Sequence, residues 1–212
     1  MKYIRVSASY LFRIMIKDNY LLVKSERRNS YQPIGGCYQY FQSADERFNE
    51  LDVVPEKKSN GVDSSMDIRL RVPEDSIDEF ISWYKSGVDR ELGYDREFEE
   101  EVVNFLSDED KDKFKKIDTY KIKDGEFDIF YDDEKDIDSL KPMDLIGVNL
   151  TNEQLEALTK LTEYGKDNFV LATEQDIING YKDLDNGERI KIGSYTRQIL
   201  SDDNSDIIDN LL

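Results

Sequence analysis

The stretch at residues 6–16 constrains the fold more than any other. It is a long run of apolar, β-branched and aromatic side chains, followed by Lys17-Asp18-Asn19 and then by Tyr20-Leu21-Leu22-Val23. A membrane-crossing helix needs roughly 18 or more consecutive apolar residues, and no part of the chain approaches that. The pattern reads instead as strand, turn, strand, a hairpin whose apolar faces need a core.

Several later segments supply partners for that core. Met66-Asp67-Ile68-Arg69-Leu70-Arg71-Val72 alternates as a half-buried strand. Ile77, Phe80, Ile81 and Tyr84, with Pro73 shortly ahead, take the i, i+3, i+4, i+7 spacing of an amphipathic helix. Residues 119–122 and 127–131 flank Lys123-Asp124-Gly125, which predicts a hairpin. Residues 145–150 read as a strand. Thr151 and Gln154 then form a capping box ahead of Leu155, Leu158, Leu161 and Thr162. A late strand is expected at 169–172, with short helices at 174–179 and 195–200. Residues 43–65 read mostly as a loop-rich insertion with one apolar patch, Leu51-Asp52-Val53-Val54. No fixed-period repeat is present. The expectation is one domain over 1–200 and a flexible acidic tail over 201–212 carrying Asp202, Asp203, Asp206 and Asp209.

Composition narrows the chemistry. Hydrophobic residues make up 38% and aromatic residues 11%, which fits a folded core under a heavily charged surface. A net charge of −18 repels duplex nucleic acid. The charge is uneven, however, since residues 1–30 hold seven Lys and Arg against two acids. Arg27 and Arg28 lie there, and a guanidinium grips phosphate through paired hydrogen bonds better than an ammonium does. An exposed basic loop that offsets the acidic body explains them equally well. With no histidine, Ser-His-Asp and Cys-His mechanisms are excluded, leaving carboxylates, lysines, tyrosines and bound metals. The lone Cys37 excludes an intrachain disulfide and reads as a packing residue. The charged start Met1-Lys2-Tyr3-Ile4-Arg5 lacks a signal-peptide core, so a soluble cytoplasmic protein without direct membrane insertion is expected.

The chemistry concentrates in Arg96-Glu97-Phe98-Glu99-Glu100-Glu101. On a helix with Phe98, Val102, Phe105 and Leu106 facing the core and Asp95 capping, Glu100, Glu97 and Glu101 fall at roughly 200°, 260° and 300° from Phe98, on one flank. Like charges at this spacing repel by a few tenths of a kcal/mol per pair unless a cation collects there. Mg²⁺ (or Mn²⁺) suits such a flank, because it takes one or two carboxylates plus water and substrate phosphates. Read alone, the pattern also fits a solvated acidic flank.

This motif, together with Ser30-Tyr31-Gln32-Pro33-Ile34-Gly35-Gly36 and the lead-in Tyr20-Leu21-Leu22-Val23-Lys24, resembles the Nudix superfamily. The wide spacing resembles the divergent Nudix domain associated with bacterial CD-NTases of CBASS antiphage defence. The resemblance implies an α+β fold: a Nudix-like α/β/α sandwich with a mixed sheet, an insertion between the Gly-Gly turn and the Glu helix, and additional C-terminal helices. It implies catalytic and metal-binding roles for Glu97, Glu100 and Glu101, and a bracing role for Arg96. Substrate contacts are expected from Arg27, Arg28, Gly35, Gly36 and Tyr31, with Tyr31 a candidate to stack a base. The sequence departs from the family at Val88, where a glutamate is usual, and at Val103, where a glycine is; Glu91 is the nearest acidic substitute.

Two functions share this cleft. One is a metal-dependent phosphoanhydride hydrolase of a nucleoside diphosphate-linked compound, and the other a sensor that binds a cyclic oligonucleotide made by a CD-NTase. A membrane effector on another chain is a further expected partner. A third reading, an acidic mimic of nucleic acid, leaves the Gly-Gly pair unexplained.

Overall fold

Alternating burial decides where the chain becomes strand. Ile4 and Val6 are buried between half-buried neighbours in Tyr3–Ser7, as expected of a strand with one face on a core. A computed structural model describes residues 1–25, 27–56 and 66–200. The acidic tail at 201–212 and the later part of the insertion, 57–65, lie outside the described residues.

In chain order the elements begin with β1 (Tyr3–Ser7), β2 (Ser9–Arg13), β3 (Met15–Ile16), β4 (Asn19–Ser25), β5 (Ser30–Gln32) and β6 (Gly35–Cys37). Then follow α1 (Asp45–Glu50), β7 (Val54–Pro55), β8 (Arg69–Pro73), α2 (Ile77–Ser86), α3 (Asp95–Glu101) and α4 (Asp108–Lys111). β9 (Asp118–Lys123), β10 (Ile129–Asp132), β11 (Ile137–Leu140), β12 (Met143–Asn149) and α5 (Asn152–Tyr164) come next. The chain closes with β13 (Phe169–Ala172), α6 (Glu174–Asn179), β14 (Tyr181–Asp183), β15 (Arg189–Lys191) and a 3₁₀ helix, Ser194–Ile199.

These elements form two compact units: 1–10 with 36–94 and 123–144, and 11–35 with 95–122 and 145–200. The first holds a mixed five-stranded sheet, β10-β11-β1-β8-β7. There β1 runs parallel to β11 (Arg5↔Ser139) and antiparallel to β8 (Arg5↔Arg71). α2 buries Ile77, Phe80, Trp83 and Tyr84 and ends at Gly87, whose φ of 73° makes the left-handed cap that glycine adopts without strain. Tyr38 is buried nearby, with its hydroxyl donating to Asp144 Oδ2 (2.5 Å). The buried Cys37 thiol accepts from Arg69 Nε (3.0 Å), and desolvation pushes its pKa up, consistent with packing rather than reactivity.

In the second unit β4 is flanked by β13, β3 and β5. Both helix starts foreseen there form. Thr151 with Gln154 closes a capping box on α5, and Thr173 with Asp176 does the same on α6. A further four-stranded sheet runs β6-β2-β12-β9. The fold is α+β and Nudix-like.

The structure corrects several expectations. The run at 6–16 is not one strand but three short ones, because the chain changes sheet after Ser7 and again after Arg13. Its hairpin survives only as β3 with β4, turned by Lys17 at φ 56°. Residues 45–50 of the supposed loop form α1, fixed by Phe48 packing edge-on to Trp83 (4.8 Å between ring centroids). The hairpin around Lys123-Asp124-Gly125 does not form, since β10 pairs with β11 (Ile129↔Leu140) and not with β9. Gly125 serves a different purpose: a Cβ there would meet the Met143 backbone N at 2.4 Å, and its own N–H donates to Asp144 Oδ1 (2.8 Å). The glycine permits close approach of two backbones rather than a tight turn.

Candidate active site

The Glu helix is anchored by one side chain. Phe98 is buried, edge-on to Phe12 at 5.5 Å and tilted on Phe114 at 5.9 Å. Val102 and Leu106 are buried beyond it, but Phe105, expected in the core, is 44% exposed. The reason is that α3 stops at Glu101. Val102 leaves the helical region (φ −127°, ψ −61°), and Val103–Phe105 continues as a 3₁₀ turn that carries Phe105 off the stripe. Asp95 opens the first turn of α3.

With Phe98 turned inward, the flank beside it meets the glycine segment. The Gly35 N–H donates to Glu101 Oε2 at 3.0 Å. Gly35 has φ 148°, a conformation that side-chain-bearing residues rarely adopt, so glycine is required for this approach. The Phe12 N–H to Ile34 carbonyl bond (2.8 Å) fixes the residue before it. Gly35 and Gly36 are the first residues of β6 rather than a turn ending a strand.

The electrostatics of Glu101 follow from this placement. Burial pushes its pKa up, to about 7; the Gly35 N–H acts in the opposite direction, and the charges of Glu97 and Glu100 add to the rise. Arg96 Nη1 donates to Glu97 Oε1 at 2.5 Å and lies 3.9 Å from Glu100 Oε1. The Glu100 side chain is 59% exposed, and Glu99 faces solvent. Glu101 thus meets the Gly35 N–H, while Glu97 and Glu100 on the same helix are close enough for their charges to act on it.

Arg28 reaches the same neighbourhood through a residue that sequence reasoning did not assign. Its guanidinium lies 4.8 Å from the Tyr195 ring centroid. Burial pushes the Tyr195 hydroxyl up to about 12, Arg28 opposes that rise by charge and hydrogen bond, and the Glu101 charge adds to it. Tyr195 is therefore close enough to both the cation and the carboxylate to feel their charges. Its position is set by Gly193, whose N–H donates to the Tyr31 carbonyl (2.9 Å), and by Arg13, whose Nε donates to the Ile199 carbonyl (2.6 Å) at the end of the same 3₁₀ helix. In the sequence Tyr195 only opens the short helix expected at 195–200.

Other expected contacts lie differently. Arg27 is exposed in the turn before β5. Tyr31 is buried, its hydroxyl donating to the Asp167 carbonyl at 3.0 Å, so its polar end is already engaged. Glu91 accepts from the Gln39 N–H (3.2 Å) in the first unit, and Val88 is exposed.

No three His, Cys, Asp or Glu side chains among the described residues form a ready-made metal cage. The donor types still suit a hard cation that completes its shell with water and phosphate: one half-buried carboxylate raised by desolvation and then by its neighbours' charge, with two more on the same helix. Among the described residues no helix is long and apolar enough to cross a membrane.

No curated protein matches this sequence. A family does, over residues 3–200, a span that takes in both units and every element around Glu101. Nudix domains are nucleotide-related and generally use divalent metals. With the glycine, the Glu flank and this match in agreement, the chain belongs to the SMODS-associated NUDIX domain family.

Proposed function

We propose that the protein is a metal-assisted hydrolase of a phosphoanhydride in a nucleotide, working at Glu97, Glu100 and Glu101 within bacterial CBASS-type defence. The observation that carries this reading is the 3.0 Å contact from the Gly35 N–H to Glu101, which sets the acidic flank of α3 against bare glycine backbone. Mg²⁺ or Mn²⁺ held by these carboxylates would polarise a phosphoryl oxygen and acidify a bound water. The chain's own groups do the rest. Arg28, backed by Tyr195, pairs with a phosphate oxygen. Arg96 fixes the Glu97 carboxylate. Glu101, held at the Gly35 N–H, takes a proton from the attacking water when it is ionised.

The test is a panel of nucleoside diphosphate-linked compounds and cyclic oligonucleotides, incubated with and without Mn²⁺. One member should be cleaved only with metal, and Glu100→Gln or Glu101→Gln should slow that cleavage by orders of magnitude while the far-UV spectrum is unchanged. Cleavage unaffected by either substitution would refute the assignment.

A second reading has its own support. The usual glutamate and glycine are replaced by Val88 and Val103, and α3 ends at Glu101 in a break rather than continuing. A pocket so altered suits a sensor that binds a cyclic oligonucleotide from a partner nucleotidyltransferase and does not cut it. Calorimetric binding of a cyclic oligonucleotide, unchanged in the Glu variants and without product over long incubation, would select this reading.

A further inference from the structure

A cavity of about 750 Å³ in the second unit is lined by none of the Glu-flank residues. Its walls are β4 with its partners β13 and β5, the turn after α5, and the β14–β15 hairpin. Five cationic residues line it, from β4, the turn after α5, β14 and β15: Lys24, Lys166, Lys182, Arg189 and Lys191. In a chain of net charge −18 this is against the trend. Two of the five are neutralised locally, Lys182 by Asp176 (3.3 Å) and Arg189 by Asp183 (2.7 Å). Lys24, Lys166 and Lys191 have no ion-pair partner among the described residues, although acids are abundant and Asp167, Asp185 and Glu188 border the same cavity.

Backbone pairing fixes where two of the three lysines leave the chain, and the turn after α5 carries Lys166. Lys24 is held opposite Tyr31 in β5, and its N–H donates to the Asn168 carbonyl (2.7 Å). Lys191 is held opposite Tyr181 in β14. An anion seated on these three ammonium groups gains from each of them, against the opposing charges of Asp167, Asp185 and Glu188 at the border. The volume falls within the roughly 300–1,000 Å³ of small-molecule sites, large enough for a nucleotide. The bordering Asn29 and Asn186 amides and the three carboxylates add donors and acceptors for sugar and base edges, which a site for bare inorganic anion does not need.

We propose that this cavity is a second ligand site, which takes a phosphorylated small molecule of nucleotide size with its phosphates on Lys24, Lys166 and Lys191. It does not depend on hydrolysis at the Glu flank. The test uses the full chain in EDTA, where the carboxylates of α3 lack a cation and repel phosphate. ATP and tripolyphosphate are the probes, and the readout is acetylation of individual lysines by mass spectrometry. Lys24, Lys166 and Lys191 should be protected severalfold, while Lys115, paired with Asp112 outside the cavity, should not. Protection by ATP alone assigns recognition of the nucleoside as well, and equal protection by both probes assigns the phosphates; either supports the site. The combined Lys24→Gln, Lys166→Gln, Lys191→Gln variant should bind ATP about tenfold or more weakly at low salt. The Glu101→Gln protein should keep the protection. No protection by either probe at millimolar concentration, protection of Lys115 to the same degree, or loss of protection in Glu101→Gln would each overturn the proposal.

Discussion

Helices α2 and α3 are separated by the eight residues 87–94 and are built on opposite principles. α2 follows most local rules: acids Asp78 and Glu79 in its first turn, Lys85 in its last, four buried side chains, and a left-handed glycine at its end, although the Ser76 side chain does not cap it. α3 breaks most of them. It buries only Phe98, carries Glu99, Glu100 and Glu101 at the end where the helix dipole disfavours negative charge, and has no cation in its last turn. A helix that keeps such a pattern is held by its tertiary contacts, Phe98 on Phe12 and Glu101 on the Gly35 N–H, rather than by its own stability. The contrast sets a scaffold helix against the proposed site, because departures from local consistency tend to collect at functional positions.

The comparison can be broken by substitution. Phe80→Ala in α2 should cost about 3–5 kcal/mol, as expected for removing a buried ring, measured by urea unfolding. A loss as small as a surface substitution gives would deny α2 its scaffold role. Glu101→Gln in α3 should act in the opposite direction in metal-free protein. Its carboxyl pKa rises from 4.5 in the unfolded chain to about 7 in the folded one. The folded state thus holds its proton more tightly, and the associated stability is complete below pH 4.5 and lost as pH rises through 7. At pH 8 the Gln variant, which still accepts from Gly35, should therefore be the more stable by about 2–3 kcal/mol, with a flatter melting profile between pH 5 and 8. Equal profiles for parent and variant would mean that Glu101 is not desolvated.

Smaller effects sharpen the contrast. Gly87→Ala should destabilise by about 1 kcal/mol, because alanine resists a φ of 73° and its methyl would press on Leu92 at 3.1 Å. Glu99→Lys should stabilise α3 by a few tenths of a kcal/mol, by placing a cation near the helix end and four residues after Asp95. Since Glu99 is exposed and off the flank, nucleotide cleavage should not change; a large loss of activity would extend the site to that face.

What was legible in the sequence was what is local. The capping box at Thr151 and Gln154, the apolar stripe of α2 and the strand at 169–172 depend on neighbours within a few residues, and all three form as expected. The pairing of β10 with β11 was not, because Lys123-Asp124-Gly125 offers good turn chemistry, and only the approach of the Pro142-Met143 backbone explains the glycine. The Glu flank was readable from its spacing, whereas its end at Glu101 was not, since Val103-Asn104-Phe105 carries no breaker. Tyr195 was hidden for another reason. Its role arises from Arg28 and Glu101, both far away in sequence, and no periodicity reports such a meeting.

The parallel pairing of β1 with β11, Arg5 opposite Ser139, has a consequence for the nascent chain. Once residues 69–73 have been made, β8 can cover one edge of β1. The other edge has no partner until the ribosome has added almost seventy residues more, an interval of roughly 3–14 s at about 5–20 residues per second. During that time β1, with Ile4 and Val6 on its apolar face, presents an open row of peptide groups at one side. Successful synthesis then depends on how quickly β11 arrives relative to encounters with other chains, so slow elongation before residue 140, or crowded polysomes, should lower the soluble yield.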